Sequence, residues 1–578
     1  MKTKENKIIR ISLFLVKGIL IVLVMSWVNQ ACTNLDEELY SEVTPDDFFK
    51  SEEEYVSALG AAYTAFGDYA SNDPQALQEV CTDEMVVPTR GQDWDDGGHW
   101  RRFHLHSWTY EDGFYGGGWN FGFGGVNTAN RLIFQFETLV ADGQVEQATA
   151  DAFIAELKAV RGFFYWQLID LYGNVPLVLD FATAEASPST VPRADVYAAI
   201  VSDLEEAVPK LSELVDGSTY GRMNYYAGQM LLAKLYLNAE VYSGTAQWDK
   251  TIAACDEIIN SGAYSLEGNY FANFNVDNSG SSEFIFAIPY DQVFFQNFNL
   301  AVRTLHYGSQ DTYNLTAQPW NGFCTLEEFY NSYEDGDLRK GEPGTLDGPS
   351  TVRGNFIAGY QYKSDGTLVM DDGFEAGNPD RQPAPLVPDM DQEPLNFGSF
   401  FHDPPQPQLN ELGPQALRQA GVRIGKYEIA MGSMPNNMSN DYPVFRYADV
   451  MLMKAEALFR KGQAAEALPL VNEIRARAGV ADLTTLDGVL SFDIDDETAA
   501  EVPGGELFNE IGREMFSENN RRQTLIRWGY FTDVEKWLLP FYNAGDKVVT
   551  DEYTTIYPVH RDKLDANPNL EQNPGYSQ

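Results

Sequence analysis

Two stretches of this 578-residue chain repeat one unit: a run of apolar residues at helical spacing, a short break at a glycine, and a second helical run. The spacing predicts a helix over 224–242, a break at Ser243-Gly244 and a helix over 248–261. It predicts the same pair over 447–460 and 464–478, broken at Gly462. Small residues recur where two helices must approach closely: Ala227, Ala233 and Ala239 in the first unit, Ala448, Ala455 and Ala457 in the second. A helical hairpin cannot bury its apolar face alone, so neighbours must stack against it. Helical periodicity also runs through 51–69 (Tyr55, Leu59, Tyr63, Phe66), 151–171 (Phe153, Leu157, Val160, Phe164, Leu168) and 195–211 (Val196, Ile200, Leu204, Val208).

The rest of the mass reads differently. Residues 74–126 and 264–319 are rich in Gly, Asn, Asp and aromatics with little periodicity, and 341–434 adds many prolines. Within them, Phe284, Phe286 and Ile288 alternate over 282–290 as in a strand. Irregular segments this long inside a compact protein usually carry function. The expected fold is mainly α: a scaffold of TPR-like helical pairs, without the strict TPR consensus, bearing long loop-rich insertions and few short strands. Three regions follow the leader discussed below. Residues 32–260 hold TPR-like helices and an aromatic loop at 91–125, residues 261–440 form the loop-rich ligand-facing region, and residues 441–578 form a C-terminal helical region.

Charge removes whole classes of partner. With 85 acidic and 40 basic residues the formal net charge is −45. A phosphate backbone needs clustered Lys and Arg, so nucleic acid is excluded, as is adsorption to anionic lipid through a polybasic face. A neutral ligand such as a sugar is compatible. Charged residues are only 22% of the chain and aromatics reach 13%, which indicates a folded protein rather than a disordered one.

Residues 1–31 read as an export signal. Lys2, Lys4, Lys7 and Arg10 precede the apolar runs 11–16 and 18–28, and Ala31-Cys32 follows at once. A membrane anchor is the competing reading. Residues 18–28 are too short to cross about 30 Å of hydrocarbon, and 11–28 reach that length only with Lys17 inside the bilayer, at a cost of a few kcal/mol. Ala31-Cys32 resembles the end of a bacterial lipobox, although Asn29 departs from the usual branched residue. This makes Cys32 the expected lipidation site. Asp36-Glu37-Glu38 resembles the surface-export signal of Bacteroidetes lipoproteins. Of the remaining cysteines, Cys255 falls in a helical pattern, Cys81 and Cys324 are compatible with a bridge, and no spacing fits a zinc motif.

Several motifs together resemble the SusD/RagB family of outer-membrane nutrient-binding lipoproteins. Near the start these are Leu35-Asp36 and Thr44-Pro45-Asp46-Asp47-Phe48-Phe49, followed by Asn127-Thr128-Ala129-Asn130-Arg131-Leu132. Next come Arg161-Gly162-Phe163-Phe164-Tyr165 with Leu171-Tyr172-Gly173-Asn174-Val175-Pro176-Leu177, and Asp337-Leu338-Arg339. The most specific are Pro443-Val444-Phe445-Arg446-Tyr447-Ala448-Asp449-Val450, Val471-Asn472-Glu473-Ile474-Arg475-Ala476-Arg477-Ala478-Gly479, and the ending Gln572-Asn573-Pro574-Gly575-Tyr576. Gln523-Thr524 and His560 depart from the family pattern, both in scaffold. The resemblance implies a surface-exposed, lipid-anchored protein of the cell outer membrane. In that role it captures an oligo- or polysaccharide and passes it to a SusC-like TonB-dependent transporter. A peptide ligand is the variant within the family; a secreted glycosidase and a ligand-free helical scaffold are the readings outside it. The charged residues of these motifs (Arg446, Glu456, Arg475, Arg477, Arg513, Glu514, Glu518 and Arg522) lie at spacings that allow ion pairs between helical turns and read as structural.

A pyranose offers an apolar C–H face and a polar rim, which a flat aromatic and planar hydrogen-bonding side chains complement. Four of the ten tryptophans, Trp94, Trp100, Trp108 and Trp119, fall in one aromatic segment with Asp93, Asp95, Asp96, Arg101 and Arg102 interleaved. Trp94, Trp100, Asp96 and Arg101 are the expected ligand contacts there, while Trp108 and Trp119 read more as core. Trp320 and Asn321 form a second candidate, just before a family-like helix at 322–333; the resemblance places a stacking aromatic near this point. Tyr290, with Phe294 and Phe295, forms a third. His104-Leu105-His106 as a strand could pair two rings on a metal, but no third ligand is near. Asp93-x-Asp95-Asp96 lacks the rest of a calcium loop. The glycines at 116–118 and 122–125 lack a phosphate loop's Lys-Ser/Thr and read as tight turns. No catalytic residue, metal or cofactor is expected.

Overall fold

The computed structural model describes residues 52–90, 93–371, 393–397, 419, 421–494, 496–533 and 549–577. The expected leader, Cys32 and the motifs between Leu35 and Phe49 lie outside them. Residues 1–56 and 57–578 are separate units. Of the first, only the opening of the helix Glu52–Tyr63 is described.

The helical pairs are where the periodicity puts them. Tyr225–Leu237 and Ala239–Ser243 are followed by Trp248–Ser261, and Tyr447–Arg460 by Ala464–Ala478. Asn224 caps the first of these, its side-chain oxygen accepting from the Ala227 N–H at 2.9 Å. Gly244, Gly262 and Gly479 end three of these helices in the left-handed conformation that glycine adopts without steric cost. The two pairs pack on each other through the helices Trp248–Ser261 and Tyr447–Arg460. The helix Gly505–Met515 closes the C-terminal core by packing Leu507 and Ile511 with Leu452, Val471 and Ile474.

The aromatic segment 91–125 is not one loop. Its second half opens the 28-residue helix Phe114–Ala141, which packs along the helix Gln147–Tyr172. The glycines read as turns are the reason the two helices can touch. A Cβ on Gly118 would sit 2.6 Å from the Tyr172 hydroxyl, one on Gly122 2.5 Å from the Leu168 side chain, and one on Gly125 2.2 Å from the Phe164 ring. The pairings descend in one helix as they ascend in the other, so the helices run antiparallel. Glycine is unfavourable in a helix interior by about 1 kcal/mol relative to alanine; close packing of three large side chains offsets that cost.

Strands are few and short. Five two-stranded antiparallel ribbons occur among the described residues. The longest pairs Phe284–Ile288, the strand expected from alternation, with Tyr442–Arg446, and every residue of both is buried. The family-like stretch 322–333 is a strand, Cys324–Thr325, and one helical turn, Glu327–Asn331, rather than a continuous helix. His104 ends the short helix His99–His104 rather than lying on a strand with His106. The two rings contact the backbone carbonyls of Val80 and Cys81, and burial lowers His104 to about 4 and His106 to about 3. Cys81, Cys255 and Cys324 are free buried thiols, so the Cys81–Cys324 bridge is not formed.

The motif charges are buried and mostly link different elements rather than successive turns. Arg446, at the end of its strand, donates to Glu518 at 2.7 Å, Glu514 at 2.5 Å and Glu283 at 3.2 Å. Arg339 reaches Asp337, Glu510 and Glu514, while Arg475 and Arg513 share Glu510. Arg522 pairs with Asp170 on the helix Gln147–Tyr172, and Arg527 with Glu456. Among these only Arg513–Glu510 is a turn-to-turn pair; Arg460, one turn on from Glu456, adds another. Burial by itself raises a carboxyl pKa. Arg339 and Arg513 overcome this at Glu510, and Arg527 and Arg460 at Glu456, holding both near 2.

Candidate functional site: a tryptophan cluster

Trp94, Trp100 and Trp320 meet. The rings of Trp94 and Trp100 stand edge to face at 5.4 Å between centroids, and Trp94 and Trp320 are 6.4 Å apart. Phe323 touches both Trp94 and Trp100, and Phe114 and His99 pack on Trp100.

Two backbone segments build this cluster. In the first, Arg90 and Asp93 exchange backbone hydrogen bonds at 3.0 Å. Trp94 and Asp96 then take positive φ (61° and 42°), followed by Gly97 and Gly98, so the chain coils tightly before the helix His99–His104. A non-glycine residue at positive φ is uncommon and is kept only where the surroundings hold it. Here the holding contacts are hydrogen bonds. The Trp100 indole donates to the Asp96 carboxylate at 2.8 Å, and Arg102 donates to the Gly97 carbonyl at 2.8 Å.

In the second segment, the N–H of Trp320 donates to the Val302 carbonyl at 2.7 Å, and those of Gly322 and Phe323 donate to Arg303. Arg90 donates to the carbonyls of Asn321 and Gly322 at 2.8 and 2.9 Å. The segments join directly: the Trp94 indole donates to the Trp320 carbonyl at 2.8 Å, and its ring lies on Gly322, where a Cβ would come within 2.3 Å. Gly322 and Phe323 were not singled out in the sequence, although a glycine directly after the Trp320-Asn321 pair is the signal of such a close approach.

The cluster is graded from floor to rim. Trp100 is 5% exposed and is floor, Trp94 is half-buried, and Trp320 is 41% exposed. Asp95 and Asp96 are exposed beside them, and Arg101 is half-buried, its pKa lowered by burial against the opposing pull of Asp95. A ring surface with planar polar groups at its edge is the geometry that complements a pyranose.

Three expected contacts are corrected. Trp100 has no ring face open to a ligand, because Trp94, Phe323, Phe114 and His99 cover it. Asn321 is fully buried at φ 57°, and its side-chain oxygen accepts from Arg423 at 2.7 Å; it fixes the turn that displays Trp320. Tyr290 is buried too. Its hydroxyl donates to the Gly67 carbonyl at 2.9 Å and accepts from the Ala70 N–H, and its ring stacks on Phe295 and Phe298. Phe294, on the same hairpin, is 90% exposed at a turn in which the Asp291 carboxylate accepts from the N–H groups of Val293 and Phe294. Trp108 and Trp119 are buried, as read; the Trp108 indole donates to the Tyr576 hydroxyl at 2.7 Å.

Comparison with known proteins identifies the fold. A model of the SusD family matches residues 415–576, and a model described as starch-binding and associating with the outer membrane matches residues 34–237. The starch-binding protein SusD of Bacteroides thetaiotaomicron is 25% identical over 438 residues, covering 73% of this chain and 72% of that protein. SusD-like protein P25 of Formosa agariphila is 24% identical, with 74% and 73% covered. Among solved structures, a SusD superfamily protein from Parabacteroides distasonis superposes with a TM-score of 0.65 at 19% identity, over 90% of this chain and 99% of the other. A laminarin-binding SusD-like protein does so with 0.63 at 20%, over 91% and 100%. The mainly helical fold is shared with both. By its two family matches, its relatives and its fold, the chain belongs to the SusD/RagB family.

Proposed function

We propose that the protein is a glycan-binding lipoprotein of the outer cell surface. In this role it holds a polysaccharide chain at the tryptophan cluster, without cleaving it, and delivers it to a TonB-dependent transporter. The observation that carries the reading is the convergence of Trp94 and Trp320, 226 positions apart, into one partly open aromatic surface. It is supported by the names of relatives, one starch-binding and one binding laminarin, and by a similar surface glycan-binding protein A from B. thetaiotaomicron in complex with laminarihexaose. Attachment through Cys32 and the transporter partner are expectations carried by the family.

The site sets a weak affinity. Each ring that loses about 60 Å² of apolar surface at about 25 cal/mol/Å² contributes about 1.5 kcal/mol. Two rings and a few rim hydrogen bonds of about 1 kcal/mol each reach the roughly 4 kcal/mol of a millimolar Kd, before chain ordering subtracts. The protein therefore captures long chains transiently. Affinity electrophoresis in starch and laminarin gels tests this. The wild type is retarded by at least one polysaccharide, and Trp94→Ala/Trp320→Ala migrates as in a plain gel. Retardation that survives the double substitution, or none in any glycan alongside binding of a peptide, overturns the reading.

A further inference from the structure

A cleft of about 390 Å³ lies between the segments 342–362 and 425–429 and shares no lining residue with the tryptophan cluster. Its size falls within the range of small-molecule sites. Its walls are held backbone to backbone. A Cβ on Gly344 would sit 2.1 Å from the Tyr360 carbonyl oxygen and one on Gly354 2.0 Å from that of Lys340, so these loops cannot drift apart without breaking close contacts.

Six lining side chains set the chemistry: Thr312, Tyr313, Glu342, Arg353, Tyr360 and Glu428. Arg353 is fixed in place. Its terminal nitrogens donate to the Asn275 side chain at 2.7 Å and to the carbonyls of Phe274 and Lys426 at 2.8 and 2.6 Å, and its guanidinium lies over the Phe271 ring. Its Nε–H and the hydroxyls of Thr312 and Tyr427 are buried without a hydrogen-bond partner, so three polar groups of the lining are left unused by the fold. Tyr313 and Tyr360 are half-buried and offer ring surface.

These features select a ligand. Both terminal nitrogens of Arg353 are occupied, which removes the fork that grips a carboxylate or phosphate, and Glu342 and Glu428 leave the lining net negative. An anion is thus disfavoured. A purely apolar ligand would leave the Arg353 Nε and the Thr312 hydroxyl unpaired. What fits is a neutral, polyhydroxylated molecule with an apolar face. We propose that this cleft is a second, independent site for a neutral saccharide of about one or two rings. It goes beyond the reading of the tryptophan cluster and is argued from its own lining.

Isothermal titration of the whole protein with maltose and with laminaribiose, and with glucuronate as the charged control, tests it. At least one neutral disaccharide still binds when the tryptophan cluster is removed by Trp94→Ala/Trp320→Ala, and in that background Tyr360→Ala and the near-isosteric Thr312→Val each weaken it about tenfold. Three results overturn the proposal: no binding of either disaccharide in that background, tighter binding of glucuronate, or binding that both cleft variants keep undiminished. If Tyr360→Ala does not fold, Thr312→Val alone decides. A protein that binds disaccharide in the cleft but is not retarded by any polysaccharide refutes the tryptophan reading and leaves this one standing.

Discussion

Around Arg446 the interior of the protein is ionic; around Trp320 its surface is aromatic. Arg446, Arg339, Glu510 and Glu514 are completely buried, whereas Trp320 is among the exposed large apolar residues. Residue type alone would place them the other way round. Each inversion has a physical cause. The buried charges are tolerated because every guanidinium meets several carboxylates or carbonyls, so the desolvation each charge costs is answered by short paired contacts. Trp320 stays outside because its N–H is pinned to the Val302 carbonyl at the point where the chain, turning at Asn321, passes into the core. A network of multiply paired charges makes the first region a frame. An unsatisfied ring surface makes the second a site.

The sharpest way to break this comparison is to remove one cation from the frame. Arg446→Met takes a shared cation from Glu283, Glu514 and Glu518, leaving Glu514 to Arg339 and Arg477 and Glu518 to Lys426 alone, and is expected to cost about 3–5 kcal/mol; urea unfolding should show it, and an unchanged midpoint would mean that the network is not what holds these helices. Next in size is the gradient within the aromatic cluster. Trp100→Ala empties the floor and should cost about 3–5 kcal/mol, whereas Trp320→Ala should stay within about 0.5 kcal/mol in the same measurement. Equal losses would put Trp320 in the core.

The most gradual effect is on pH. Glu510 and Glu456, held near 2 in the folded protein against 4.5 when unperturbed, contribute stability that is lost as pH falls from about 4.5 toward 2. Glu84 behaves oppositely. Burial raises it to about 7, Arg521 pulls it down and Asp83 pushes it further up, so the folded state favours its neutral form and stability declines as pH rises from 4.5 to 7. Melting temperature followed across pH should therefore fall on both sides of about 4.5–5, and Glu84→Gln should flatten the upper slope. An upper slope unaltered by that change assigns it to other groups.

Much of the frame was legible in the sequence. The helices Tyr447–Arg460, Ala464–Ala478 and Trp248–Ser261 have the bounds their periodicity predicts, because a helix that buries one stripe must repeat it every three to four residues. The strand Phe284–Ile288 follows from alternation in the same way. The glycines of the helix Phe114–Ala141 misled, since locally they weaken a helix. Only Leu168, Phe164 and Tyr172, some 40–60 positions away, reveal why nothing larger fits. Within the candidate site, residue type singled out Trp94 and Trp320, and the fold brings their rings to 6.4 Å. That Trp100 is floor and Tyr290 and Asn321 are struts depended on partners more than 200 positions distant for the latter two.

The chain's own order of residues determined the helices, the strongly acidic charge, and which segments carry clustered tryptophans. Tertiary packing alone decided which of those rings keeps a face in water and which charges go dry. Local spacing fixes what a segment can bury, but exposure is a property of what comes to lie against it, and that is set by contacts between residues hundreds of positions apart.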